Sequence, residues 1–185
     1  MSEIYKINNL DLPHFMTFSV LNWFPVFKNE EFIEVLINAI KFYQTNRELE
    51  LYAYCIMPTH AHFIMRSETY NLAGIVRDLK RYVSFQITSR MELDCKYADW
   101  LSIMALEAQR LRRISKYKFW QDGYHPIEIS SGWFYRQKLA YIHANPVEDG
   151  LCASATDYLY SSARNYAGLK SYLDISIITE NGEMI

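Results

Sequence analysis

Apolar residues recur at helical spacing in two long segments of the chain. In residues 30–43 and 71–91 they follow the i, i+3, i+4, i+7 rhythm that places side chains on one helix face. Asn29 precedes the first segment as a suitable N-cap, and acidic residues stand in its first turn. The patterns predict two amphipathic helices. Their apolar positions are Phe32, Val35, Leu36, Ala39, Ile40 and Tyr43, and then Leu72, Ile75, Leu79, Val83 and Ile87.

Three other segments are short and rich in β-branched, aromatic and aliphatic residues. Residues 14–23 predict a first strand that ends near Pro25. Residues 49–57 and 60–66 predict two more strands, and the brief turn at Pro58 and Thr59 joins them as a hairpin. With the two helices, the order along the chain is β-α-β-β-α.

The second half of the chain is less regular. Residues 100–113 predict a third helix, and residues 132–144 predict another, ended by Pro146 because the residue before a proline is pushed out of helical geometry. After residue 170, the isoleucines predict a strand that serves either packing or dimer contacts; they are Ile175, Ile177 and Ile178.

The composition predicts one folded domain and argues against nonspecific binding to nucleic acids. The 185 residues suit one domain, and 50% of them are hydrophobic, so a large core can form. The three cysteines are widely spaced without a CxxC pair, which argues against a zinc knuckle or a disulfide framework. Neither a signal peptide nor a membrane span is recognisable, so we expect a cytoplasmic protein without membrane contact. The net charge of −2 argues against indiscriminate binding to nucleic acids.

Positive charge is nevertheless concentrated in two clusters. Each cluster is either a solvated helix face or a local patch that binds phosphates, since a patch does not require a basic total. We name as candidate DNA-binding residues Arg77, Lys80 and Arg81 in the first cluster, Arg110, Arg112, Arg113 and Lys116 in the second, and Lys138 further along.

His60 and His62 are the first candidates for chemistry. In a strand, residues i and i+2 point to the same face, roughly 7 Å apart along the strand. Two imidazoles placed in this way either converge on one divalent metal or stand as polar groups on a half-exposed strand. Their apolar, strand-forming surroundings favour the metal.

Tyr141 and Asn145 are the second pair. They lie four residues apart and Lys138 lies three before Tyr141, so all three project from one side of the predicted helix. The Asn145 carbonyl oxygen is a competent ligand for a hard cation such as Mg²⁺, although the residue can also cap the helix before Pro146. A metal beside a tyrosine suggests a tyrosyl nucleophile that attacks a phosphodiester.

Four ordered blocks of the sequence resemble the single-tyrosine HUH transposases, the insertion-sequence and REP-associated group. The blocks lie within residues 13–170. They are AYCIMPTHAHFI at 53–64, FWQDGYHPIE at 119–128, QKLAYIHANPV at 137–147, continuing to Gly150 and Leu151, and DYLYSSAR at 157–164.

The resemblance implies a ferredoxin-like α+β sandwich, in which an antiparallel sheet carries the histidines and a C-terminal helix carries the nucleophile. It implies Tyr141 as the nucleophile and His60, His62 and Asn145 as ligands of Mg or Mn, although some relatives have glutamine in place of Asn145. It also implies one transposase domain over residues 1–185, with a core at about 13–170 and a tail at 171–185.

The activity implied by the resemblance is cleavage and rejoining of single-stranded DNA beside a hairpin, through a 5′-phosphotyrosine. A homodimer and a monomer both remain open. Three alternatives also remain: a domesticated hairpin-binding protein without catalysis, a metal-dependent phosphodiesterase that uses water, and a replication-initiation nuclease of the same superfamily.

Overall fold

The fold is built on a small antiparallel sheet, seen in a computed structural model that describes residues 11–46, 48–69, 71–112 and 115–177. The strands are β1 (His14–Ser19), β2 (Leu49–Ile56), β3 (His60–Ser67) and β4 (Ile127–Glu128). Their spatial order is β2-β3-β1-β4, and every neighbouring pair is antiparallel. The helices are α1 (Glu30–Thr45), α2 (Leu72–Met91), α3 (Ala98–Arg110), α4 (Gly132–Glu148) and α5 (Ala163–Tyr166).

Alternation along the strands divides the apolar residues between two cores. On β3, Phe63 and Met65 pack with α1, α2 and α3, whereas Ile64 packs with Tyr135 and Ile142 of α4. Helices α1 to α3 therefore cover one face of the sheet and α4 covers the other. This β-α-β-β-α-β order with a four-stranded antiparallel sheet confirms the predicted ferredoxin-like α+β sandwich.

The first helix forms where its pattern predicts. The Asn29 side chain accepts a hydrogen bond from the Glu31 backbone at 3.0 Å, and two glutamates stand in the first turn, where the helix dipole favours negative charge. The buried positions Leu36 and Ile40 anchor the helix on the sheet.

The first strand is shorter than the sequence predicts. It ends at Ser19, and the chain then turns tightly at Leu21–Trp23. Asn22 and Trp23 adopt left-handed backbone angles, with φ of 52° and 56°. Such angles break the strand, and the absence of glycine leaves no obvious sign of the turn in the sequence.

The predicted end of α4 at Pro146 is wrong, because the helix continues to Glu148 with Pro146 inside it. The proline lies in the last turn, so only one helical hydrogen bond is lost there. The turn is closed by Asp149 N to Asn145 O at 3.0 Å and Leu151 N to Pro146 O at 2.8 Å. The third helix is also displaced, to Ala98–Arg110, and Arg113 lies outside the described residues.

The C-terminal segment packs on its own chain. Leu173 is buried, and the Ser176 backbone donates to the Leu51 carbonyl of β2 at 2.8 Å. In the described part of this segment no strand forms, and Ile178 lies outside the described residues. None of the helices that the structure describes is long and apolar enough to cross a membrane.

Candidate active site

Two histidines of β3 meet on the sheet face that α4 covers. The Nε2 atoms of His60 and His62 lie 3.1 Å apart. The β1–β3 register places Thr17 opposite His62 and Ser19 opposite His60. His62 is only 4% exposed, so its imidazole is held in a largely dry position.

A threonine fixes the far nitrogen of each imidazole. Thr17 Oγ1 lies 2.8 Å from Nδ1 of His62, and Thr59 Oγ1 lies 2.9 Å from Nδ1 of His60. When each Nδ1–H donates to its threonine, the Nε2 lone pairs face each other and are free to bind a cation. In this tautomer the two histidines present their Nε2 atoms to a common point, where a cation could bind both.

Burial keeps both imidazoles neutral. It lowers the pKa of His62 to about 3; the neighbouring His60 lowers it further, and a hydrogen bond to the Asn145 side chain opposes the shift. Burial likewise lowers the pKa of His60, against the opposing effects of Asp149 and Asn145. Only the neutral imidazole binds a metal, so both side chains are in the ligand form at neutral pH.

Helix α4 brings Tyr141 to these histidines. The Ser131 side chain caps the helix by accepting from Phe134 N at 3.3 Å, and buried Tyr135 and Ile142 fix it on the sheet. The Tyr141 ring then meets the His62 ring edge to face, with centroids 5.2 Å apart. Tyr141 remains 43% exposed, so its hydroxyl is accessible to a substrate.

Asn145 joins the same cluster. Its Nδ2 donates to the Tyr141 carbonyl at 2.9 Å, and its side chain lies close enough to His60 and His62 to raise the pKa of both imidazoles. Asn145 does not cap the helix, because the helix runs past it to Glu148 and Asp149 is its C-cap. The alternative role considered from the sequence is therefore wrong.

The donor set of this cluster fits one divalent cation. Two ligand atoms at right angles about a cation, each at about 2.1 Å, lie about 3.0 Å apart, close to the separation of the two Nε2 atoms. The Asn145 side chain contacts both imidazoles and carries an amide oxygen, a suitable third donor. Among the residues that the structure describes, no group of three or more His, Cys, Asp or Glu side chains is placed to hold a metal. Any site here depends on the amide as well as the imidazoles.

Lys138 stands beside the tyrosine on the same helix face. Its Nζ lies 4.7 Å from the ring centre of Phe15, 5.4 Å from that of Phe134 and 5.8 Å from that of Tyr141. The aromatic faces stabilise the ammonium group, and the charge remains close to the tyrosine. The structure therefore places Lys138 on the same side of the sheet as Tyr141, apart from the other predicted DNA-binding residues.

Most of the remaining basic candidates surround one groove on the other side of the molecule. The groove has a volume of about 1210 Å³ and lies between α2 and residues 115–124. The groove is lined by residues of both basic clusters. The two clusters are distant in the sequence but face each other across the groove. The candidates that line it are Arg77, Lys80, Arg81, Arg112 and Lys116.

Neighbouring carboxylates partly neutralise the positive charge of the groove. Arg77 and Arg81 both pair with Asp78, at 3.0 and 3.3 Å, and Lys116 pairs with Glu92. Lys80 lies over an aromatic cage, with Nζ 5.1 Å from Phe18, 5.4 Å from Trp120 and 5.7 Å from Tyr124. Arg110 pairs with Glu107 on α3 and is not among the residues that line the groove.

Hydrogen bonds of Thr17 connect the groove with the histidine pair. The Tyr124 carbonyl, at the groove, accepts from Thr17 N at 3.2 Å, and the Thr17 side chain bonds His62. Thr17 was not predicted from the sequence, because only the strand register reveals it. Trp23 was also missed, although its ring centre lies 6.0 Å from that of His60.

Comparisons with known proteins agree with the fold. A solved structure of a REP-associated tyrosine transposase bound to a REP hairpin has the same fold, with a TM-score of 0.64 at 19% identity over 100% of this chain and 99% of that one. No curated protein sequence matches the chain. The sequence model described as "Transposase IS200 like" matches residues 14–145, which confirms the resemblance found in the sequence blocks. The chain belongs to the IS200-like transposase family.

Proposed function

We propose that this transposase cleaves and rejoins single-stranded DNA beside a hairpin, with Tyr141 as the nucleophile. The observation that carries the proposal is the meeting of Tyr141 and Asn145, one turn apart on α4, with His60 and His62 on β3. Two distant parts of the sequence, β3 and α4, meet at one exposed tyrosine.

His60, His62 and Asn145 are the residues that would hold a divalent cation, Mg or Mn. Such a cation would polarise the scissile phosphate and neutralise the charge that develops on it. Thr17 and Thr59 hold the imidazoles in the required tautomer. Lys138 supplies a second positive charge on the same face, within reach of a phosphate placed at Tyr141.

The proposed reaction conserves the phosphodiester bond energy. The Tyr141 oxygen attacks phosphorus and forms a P–O bond, the bond from phosphorus to the 3′ oxygen breaks, and the tyrosine loses the proton that the 3′ oxygen ultimately gains. The products are a 5′-phosphotyrosine and a free 3′-hydroxyl. Attack on this linkage by the 3′-hydroxyl of another strand reverses the step and rejoins DNA without ATP.

The route of the DNA follows from the positions of the charges. A tyrosine on a helix that lies over the sheet requires an accessible, unpaired backbone, so the cleavage point is single-stranded. The groove between α2 and residues 115–124 offers a basic surface for the hairpin phosphates. The neighbouring relative in the comparison was solved with a REP hairpin, which supports the choice of a hairpin here.

The test is a covalent adduct on a denaturing gel. The protein is incubated with a panel of labelled hairpin oligonucleotides carrying single-stranded flanks, with Mg²⁺ or Mn²⁺. We expect an adduct from the unsubstituted protein and none from Tyr141→Phe or His60→Ala. Tyr82→Phe is the matched control, because Tyr82 is 51% exposed on α2, over the opposite face of the sheet, and should leave the adduct intact.

Other results identify the alternatives. Tight hairpin binding without an adduct over the whole panel would indicate a domesticated binding protein. Cleavage that survives Tyr141→Phe would indicate a phosphodiesterase that uses water. Cleavage without transfer to a second strand would indicate a replication-type nuclease.

A further inference from the structure

An exposed tryptophan stands beside the metal-site histidines on a strained turn. Trp23 is 56% exposed, although it lies between Leu21, which is buried, and Phe24, which stacks on Trp100 at 5.0 Å. The turn thus packs the apolar side chains of Leu21 and Phe24 against the protein and presents the indole to solvent. A large apolar side chain in this position gains little from folding.

The backbone at this turn is also unfavourable. Asn22 and Trp23 have φ of 52° and 56°, and for a bulky residue such an angle is a genuine outlier. Strained residues persist only where their surroundings enforce them, and they concentrate at functional sites. Here Val20 N bonds Thr59 O at 3.0 Å and Phe27 N bonds Pro58 O at 2.9 Å, so both ends of the turn are fixed to the β2–β3 turn.

The Trp23 indole lies close to the place where the scissile phosphate would bind. Its ring centre lies 6.0 Å from that of His60, with the planes nearly perpendicular at 87°. His60 is one of the proposed metal ligands, and the scissile phosphate would lie on that metal. A nucleotide attached to this phosphate would therefore lie against Trp23.

We infer that Trp23 is a stacking platform for the unpaired base next to the scissile phosphate. The inference rests on the proposed function and adds a base-binding position to it. Every base has a π-face, so such stacking tolerates different sequences while holding the strand in line with Tyr141. Contacts to the phosphate alone would not fix the orientation of the base, and the strand could then rotate about its backbone.

The test measures binding to two labelled DNAs: a hairpin with an oligo-thymidine tail, and the same hairpin with no tail. Fluorescence anisotropy with Mg²⁺ is recorded on the Tyr141→Phe protein, so that no adduct forms. Adding Trp23→Gly should weaken binding of the tailed DNA about 5- to 150-fold, the effect of about 1–3 kcal/mol per stacked base. Binding of the tailless hairpin should not change.

Four controls make the result specific. Glycine accepts the left-handed angle, so Trp23→Gly should unfold at a urea midpoint no lower than that of the parent protein. Trp23→Phe should restore most of the affinity, and Phe42→Ala, an exposed aromatic on α1, should have no effect. The ratio of parent to Trp23→Gly affinities should stay constant with salt, since no phosphate contact is removed.

Equal affinity of the parent and Trp23→Gly proteins for the tailed hairpin would overturn the inference. If the unsubstituted protein nevertheless forms the Tyr141 adduct, the proposed function stands without it. If no adduct forms but the Trp23-dependent binding is found, the chemistry proposed for Tyr141 fails and the base-binding position remains.

Discussion

Replacing Thr17 with valine tests whether the histidines are metal ligands oriented by the strand beside them. Valine has nearly the same shape as threonine but cannot accept a hydrogen bond from Nδ1–H of His62, which now lies 2.8 Å from the hydroxyl. Loss of an outer partner of a metal-bound histidine typically costs about 10- to 100-fold in metal affinity. The unpaired Nδ1–H, in a side chain only 4% exposed, should also lower the free energy of unfolding by about 1–3 kcal/mol.

Two measurements separate these effects. Isothermal titration with Mn²⁺ gives the metal affinity, and urea unfolding of the metal-free protein gives the stability. Thr17→Ser should retain the affinity. Thr88→Val is the matched control, because Thr88 is a buried threonine that bonds only helix backbone on α2, so its loss should affect stability alone. Equal Mn²⁺ affinity in Thr17→Val and the unsubstituted protein would refute the argument that Thr17 orients a ligand.

Three further outcomes follow from the structure. Asn145→Ala should weaken Mn²⁺ binding in the same titration while the chain still folds, and unchanged affinity would remove Asn145 from the ligand set. Lys80→Met should reduce the slope of log affinity against log salt for a hairpin by about 1, and an unchanged slope would exclude a phosphate contact. Burial opposes ionisation of Glu50, but hydrogen bonds from Arg66 and Tyr52 outweigh it and lower the pKa of that carboxyl. The resulting stability is present above about pH 4.3, the unfolded pKa, and is lost as pH falls through the lower folded pKa. Between neutral and acid pH, the free energy of unfolding measured with urea should therefore fall less in Glu50→Gln than in the unsubstituted protein. An equal fall in the two proteins would contradict this contribution of Glu50.

The sequence pattern correctly predicted those helices and strands in which the local preference for helix or strand agrees with the packing in the folded protein. The apolar rhythm located α1 and α2, and the hairpin of β2 and β3 followed from two strand-like segments around Pro58. These elements bury the side chains that the pattern marks, so tertiary contacts reinforce the local preference.

Errors arose where tertiary contacts overrule local signals. Two backbone bonds to the β2–β3 turn enforce the left-handed Trp23, and nothing in the residue types around it indicates such a turn. A proline normally ends a helix, but Pro146 lies in the last turn and its own carbonyl accepts a closing bond from Leu151 N, so little is lost.

The candidate site was predictable only in part. Helical and strand spacing placed Tyr141 with Asn145 and His60 with His62, and the family resemblance connected the two pairs. The role of Thr17 depends on the β1–β3 register, and the groove depends on α2 meeting residues 115–124. Neither relation is contained in a local pattern.

The most direct test of the central claim is the chemical identity of the protein–DNA linkage. An adduct formed with a hairpin oligonucleotide is digested with nuclease and trypsin, and the modified peptide is sequenced by mass spectrometry. The account predicts a 5′-phosphonucleotide on Tyr141 and a 3′-hydroxyl on the released DNA. A nucleotide attached to any other residue, or a tyrosine linked to a 3′-phosphate, would contradict it.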